Sequence, residues 1–284
     1  MKSKEIKKLV AETAAGYKLA LFMPVFLFCV LSTLSSLFGI LALIFLIITP
    51  PLNYGITSVF MRRRNGEEIG PFDFVGEGFS NFGRAWKISL RLFLKYLVPV
   101  LIMVAATVGT IIFSAASVFA TESLILMPTS SSISTVGSGV MGIVVWIAYL
   151  VSFILLIPLV YKYRYAYNEA IMSPESSSKE VVRNTAEVMN GNKWKSFCLD
   201  CSYFLLAFAS AIVAGFVGGF LPTLLSEVVV AAIMTYFYTA AFTMAHVIFY
   251  EDKRTQKFGS VSAPNAVVEN GPAVENNDYT TPIN

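Results

Sequence analysis

Ionisable side chains stand a turn or two inside otherwise apolar stretches: Arg91 and Lys95 in one, Asp200 in a second, His246 in a third. Charges within a bilayer are costly and are functional hypotheses by default. Arg91 lies five residues after Trp86, and Asp200 six after Trp194. That spacing sets the two at matching depths and suggests an ion pair between them. The alternative is that each side chain snorkels to the headgroups alone. With His246 they form a candidate polar cluster. His246 is the single histidine, so a multi-histidine metal site is excluded, and a lone histidine near an interface is more often packed or hydrogen-bonded than a sensor or ligand. Cys198 and Cys201 have Cys-x-x-Cys spacing, but no second pair completes a four-ligand zinc site. Together with Cys29 they read as packing residues. No metal and no cofactor is expected. A Gly-rich phosphate loop, a Ser-His-Asp set and paired carboxylates in an apolar span are all missing from the sequence, so an enzyme is not expected.

The elements that position these groups follow from composition. Of 284 residues, 56% are hydrophobic and 14% charged, with mean hydropathy +0.67, far from the roughly 25% charged of soluble domains. All 21 Lys and Arg fall in four blocks, Lys2–Lys18, Arg62–Lys95, Lys162–Lys195 and Lys253–Lys257. The blocks alternate with apolar stretches so that every cation can stay on one side of a membrane. Basic residues in short loops resist translocation, which predicts a multi-pass membrane protein with both termini cytoplasmic. The net charge of +3 sits beside apolar spans, and its expected partner is the anionic inner leaflet at about 1 kcal/mol per cation, not nucleic acid.

A crossing needs about 20 apolar residues, and that ruler predicts an all-α, polytopic membrane helix bundle over residues 1–258. About six transmembrane helices are expected, at 19–36, 39–61, 88–119, 140–161, 197–220 and 228–250. The first two form a hairpin turning near Ser35 to Gly39, kinked at Pro50 and Pro51. The apolar run from Leu19 is too long for a cleaved signal peptide and reads as an uncleaved span. A Ser/Thr-rich outer loop is expected around Thr121 to Ser138, and a disordered cytoplasmic tail at 259–284.

Two cytoplasmic segments have the pattern of amphipathic helices lying along the membrane. Phe72, Val75, Phe79 and Phe82 make an apolar stripe in the first. Ser177 to Met189 opens with Ser177 and Glu180 in capping-box spacing and sets Val182, Ala186 and Met189 on one face. Trp86, Trp146 and Trp194 are expected as interface anchors, and Tyr161, Tyr163, Tyr165 and Tyr167 as an aromatic belt. Ala207, Ala211, Gly215 and Gly219 form a small-residue stripe for close helix packing, within the bundle or at a subunit interface. Pro51-Leu52-Asn53-Tyr54 resembles Pro158-Leu159-Val160-Tyr161, and Gly83-Arg84-Ala85-Trp86-Lys87 resembles Gly191-Asn192-Lys193-Trp194-Lys195. These pairs suggest a parallel internal repeat about an axis along the membrane normal. The alternative is that proline and tryptophan simply favour span ends.

The hairpin ending in Pro51, Leu52 and Gly55, the surface helix before Met189-Asn190-Gly191-Asn192-Lys193, the aromatic span after it and a last span ending near Phe249-Tyr250 resemble a bacterial integral membrane family, domain of unknown function nine-seventy-five. The likeness covers most of residues 1 to 254. The Ser/Thr-rich loop, the weak counterpart of the family's Pro-Gly turn at Ile157-Pro158-Leu159 and the polar tail depart from it. The resemblance implies a many-helix bacterial membrane protein and assigns no catalytic residue, cofactor or substrate. The leading expectation is a non-enzymatic accessory or scaffold protein, or one of envelope-stress or immunity type, with a membrane-protein partner or a second copy. A permease or flippase-like subunit for an apolar or lipid-like substrate is the alternative.

Overall fold

The computed structural model describes residues 3–14, 18–37, 39–124 and 131–259, and every regular element in them is helical. Apolar runs of this length leave backbone groups nowhere to bond except within a helix. In order, these are α1 (Ser3–Ala14), α2 (Lys18–Leu37), α3 (Gly39–Arg64), α4 (Asp73–Ser80), α5 (Phe82–Leu124), α6 (Ser131–Tyr163), α7 (Ala166–Met172), α8 (Ser178–Val188), α9 (Lys193–Gly218), α10 (Thr223–Met234) and α11 (Ala240–Phe258). A π turn at Thr235–Thr239 joins the last two. Among the described residues five stretches are long and apolar enough to cross a membrane: 42–64, 82–112, 143–172, 193–218 and 225–258. The apolar part described in α2, Leu21–Thr33, is shorter. Apart from Gly259, the expected tail lies outside the described residues.

The core lies toward the ends of the helices that carry the Lys/Arg blocks. Ile6 and Val10 of α1 join Leu52, Val59 and Phe60 of α3, Phe74 of α4, Leu199 of α9 and Ile248 of α11 there. The amphipathic α1, part of a stretch read only as a basic block, is thus a packing element. α3 continues through Pro50 and Pro51, although Pro51 lacks the N–H that would bond the Ile47 carbonyl. The indole of Trp86 donates to that carbonyl at 2.9 Å. α4 crosses α3 where two glycines meet it: a Cβ on Gly55 would stand 1.8 Å from the Phe74 carbonyl oxygen, and one on Gly78 2.3 Å from that of Pro51. Any side chain there would drive the helices apart.

Away from the core, α5 and α6 pair with each other. Thr107 and Tyr149 share a 2.8 Å hydroxyl hydrogen bond between them, while Leu101, Val104, Ile147 and Ile154 face outward. Three expectations are corrected. The loop from Thr121 to Ser138 is shorter than its composition suggested, because α5 runs to Leu124 and α6 starts at Ser131. A hydroxyl can bond the carbonyl one turn back, as Thr107 and Thr110 do, so Ser and Thr do not end a helix by themselves. α8 does not present its apolar face outward: Val181, Val182, Thr185, Val188 and Met189 are buried against the protein, whereas Val75 and Phe79 of α4, Phe72 just before it and Phe82 at the start of α5 are exposed. The close approach on α9 runs through Tyr203, Ser210, Ala214 and Gly218, with Ala207 half-buried and Ala211, Gly215 and Gly219 exposed. A Cβ on Gly218 would meet Ser226 Oγ at 2.7 Å, and one on Gly215 meets nothing within 4 Å. One residue turns a helix face by about 100°, so four-residue spacing fixed the geometry of the stripe but not which face packs.

Candidate functional site

A layer of buried polar groups crosses the core, and its first centre is Asp200 on α9. Oδ2 accepts hydrogen bonds from the Tyr161 hydroxyl and from Arg164 Nη1, each at 2.7 Å. Oδ1 stands 2.8 Å from His246 Nε2 on α11. That contact has ion-pair distance but is not aligned as a hydrogen bond. On its other side His246 shares its Nδ1 with the Tyr165 hydroxyl at 2.6 Å, and the same hydroxyl meets Ser196 Oγ at 2.7 Å. The Arg164 guanidinium also lies 5.2 Å from the centre of the Phe242 ring, a favourable cation–π placement. The result is a chain from Ser196 through Tyr165, His246 and Asp200 to Arg164.

Local folding explains how these groups converge. α6 stops at Tyr163 and α7 begins at Ala166. The turn between them sends Arg164 and Tyr165 inward, and Tyr165 becomes almost fully buried, stacked 5.1 Å from Tyr250. Beside the network is a cavity of about 350 Å³ bounded by Asn53, Thr57, Arg164, Asn168, Thr243 and His246. This combination of concavity and convergent polar groups is the usual form of a small-molecule site.

The second centre is Glu169 on α7, whose side chain is fully buried. Its Oε2 accepts from Arg254 Nε at 2.7 Å and from the Tyr250 hydroxyl at 3.0 Å. Oε1 accepts from Ser173 Oγ at 2.9 Å and from Asn184 of α8 at 3.4 Å. Arg254 Nη2 closes the ring by donating to Ser173 Oγ at 2.8 Å. Arg84 anchors the same region, donating to the carbonyl of Ala170 in α7 and to those of Ser173, Pro174 and Ser176 after it. Nearer α4, Arg62 pairs with Glu67 at 2.8 Å and Glu77 at 3.0 Å, and Arg64 with Glu251 at 3.3 Å.

Of the three residues expected as a polar cluster, the structure brings Asp200 and His246 together. Arg91 is not on Asp200: Arg164 occupies that place, and Arg91 Nη1 is buried without a hydrogen-bond partner. Trp86 is half-buried and bonded to α3, while Trp146 and Trp194 are 78% and 71% exposed. Cys198 and Cys201 are exposed, so the packing expected of them is not made within the chain; Cys29 is half-buried. Among the described residues no group of three or more His, Cys, Asp or Glu could hold a metal ion. Glu169, Arg164 and Arg254 went unnoticed in the sequence. The available signal was a lone acid directly after the dense run Tyr161 to Asn168.

Among the described residues, a helical bundle with five apolar stretches of spanning length, tied by a buried polar layer, has the make-up of an integral membrane protein. Residues 1–257 match the family model described as protein of unknown function (DUF975), and the chain belongs to that family. No curated protein and no solved structure matches it.

Proposed function

We propose that this chain is a non-enzymatic, multi-pass protein of a bacterial cell membrane that serves as an accessory or scaffold subunit, with both termini cytoplasmic. The observation that carries the reading is the pairing of carboxylates with arginines of other segments, two in the polar layer and two nearer the surface: Asp200 with Arg164, Glu169 with Arg254, Glu77 with Arg62 and Glu251 with Arg64. These pairs join α3 to α4, the α6–α7 turn to α9, α7 to α11 and α3 to α11. Charge-matched pairs of this kind suit a frame that fixes helices relative to one another better than a reactive site, which keeps a group poised by an unmatched environment. The long α5–α6 hairpin, whose outer apolar faces the frame leaves uncovered, is the surface offered to a partner membrane protein. Purification of the tagged chain from native membranes in mild detergent, followed by mass spectrometry, tests this. A stoichiometric membrane partner is expected, and recovery of the chain alone overturns the accessory role. For orientation, a reporter fused after Ser177 should read as cytoplasmic, and the opposite result rejects the topology.

A permease or flippase-like subunit for a lipid-like substrate is the second reading. It is favoured by an apolar groove of about 850 Å³ between α1, α2, α9 and the π turn.

A further inference from the structure

We infer that this groove is a binding site for one acyl chain of an anionic phospholipid, with the Lys7 ammonium as the headgroup contact. The inference stands whether the protein scaffolds or transports. Leu21, Phe22, Leu206, Ala209, Phe237 and Met244 contribute to its walls. Its volume lies within the range of about 300–1,000 Å³ typical of ligand pockets. The π turn shapes one wall. Its backbone bonds reach five residues back where those of an α-helix reach four, as the Ala240 N–H donating to the Thr235 carbonyl records. Buried Thr235 anchors that turn while Tyr236 and Phe237 remain half exposed along the groove. A π turn inside an α-helix frequently marks a functional site.

Charge selects the occupant. Lys7 sits on α1 at the groove, with Nζ donating to the Ser202 carbonyl at 2.6 Å and lying 5.0 Å from the centre of the Tyr203 ring. One carbonyl uses one of the three ammonium donors, and the others are available to a phosphate. The same helix carries exposed Lys4 and Lys8, the latter near Glu12 at 3.8 Å. A peptide helix fits less well: even ten residues, about 15 Å long and 10 Å across, would fill roughly 1,200 Å³, more than the groove holds. A hydrocarbon chain is slimmer, makes no backbone hydrogen bonds to satisfy, and gains from burial against aromatic and aliphatic walls.

The full chain, delipidated and returned to mixed micelles containing palmitoyl-oleoyl phosphatidylglycerol or the corresponding phosphatidylethanolamine, is examined by native mass spectrometry. One lipid should remain bound per chain when annular lipid has been stripped. Phosphatidylglycerol should be preferred by roughly fivefold, the equivalent of the ~1 kcal/mol that one lysine contributes near an anionic surface. Ala209→Phe should abolish retention, and Lys7→Gln, on the exposed face of α1, should retain the lipid but lose the preference. A chain-end photoactivatable phosphatidylglycerol should label 202–209 and 236–244 in the unsubstituted protein, which keeps the question answerable if Ala209→Phe misfolds. Absence of retained lipid, equal retention of both headgroups, labelling elsewhere, or a co-purified protein segment in the groove would overturn the assignment.

Discussion

Two carboxylates hold the same bundle together in different ways. Glu169 is fully buried and engaged by Arg254, Tyr250, Ser173 and Asn184. Asp200 retains 22% side-chain exposure and faces a histidine that can change charge, with a polar cavity beside that histidine. The difference is one of access. A buried carboxylate whose lone pairs are all used does not readily exchange a partner for water, so it locks α7 to α11. A pair bordering a cavity can be re-solvated or meet a ligand, so it holds helices while staying responsive.

The largest effect should therefore come from the closed centre. Removing one partner of a buried pair leaves an uncompensated charge and costs about 3–5 kcal/mol. Glu169→Ala is expected to lose that much in detergent unfolding, with Arg254 stranded. The double substitution Glu169→Leu with Arg254→Met should regain part of it, because apolar groups of similar volume replace such pairs with little loss. If Glu169→Ala unfolds no more readily than Asp200→Ala, the distinction between lock and responsive centre fails.

Asp200→Ala should cost less, about 1.5–3 kcal/mol, the contribution of hydrogen bonds to a charged group, since water entering the cavity can solvate Arg164. The comparison sharpens with Arg91→Ala, expected to leave both stability and the Asp200 network unchanged. An equal loss from Arg91→Ala would restore the pairing that sequence spacing suggested.

That spacing shows where the sequence was legible. Long apolar runs, the Ser177–Glu180 capping box and the Phe stripe around α4 are local patterns, and each has its counterpart in the helices. Asp200 and His246 stood out because charge in an apolar run is conspicuous, but which cation meets Asp200 depends on how the chain turns. Arg164 was hidden in a Tyr-rich run that reads equally well as an interfacial belt; only the break between Tyr163 and Ala166 turns it inward. The two Gly-x-x-Trp-Lys segments teach the same lesson. Gly83 lies inside α5, with Trp86 turned to the Ile47 carbonyl, whereas Gly191 adopts φ +80° and Trp194 faces out, stacked 5.0 Å from Phe197. Similar residues took different local geometry because Pro51 leaves a carbonyl free next to the first tryptophan. α8 shows it again: a narrow apolar stripe fits a membrane surface or a protein core, and the neighbours of Glu169 settle which.

The smallest expected effect tests how far the closed centre extends. α8 brings Asn184 to Glu169, and its N-terminus is held by a reciprocal cap: the Ser177 N–H donates to Glu180 Oε2 at 2.9 Å, and the Glu180 N–H to Ser177 Oγ at 3.3 Å. The Ser177 N–H and hydroxyl beside the Glu180 carboxylate hold its pKa below the ordinary carboxylate range. A carboxyl depressed in the folded state contributes stability that is present above its unfolded pKa and lost as pH falls through the folded one. Stability of α8 should hence decline on the acid side of the usual glutamate range. Glu180→Gln should flatten that limb, while Ser177→Ala, which removes the side-chain cap, should cost about 0.5–2 kcal/mol at neutral pH. Hydrogen exchange along 178–188 and at the amides around Glu169 separates two cases. Loss of protection in both places when the cap is broken makes α8 part of the lock, and loss in α8 alone confines the lock to α7 and α11.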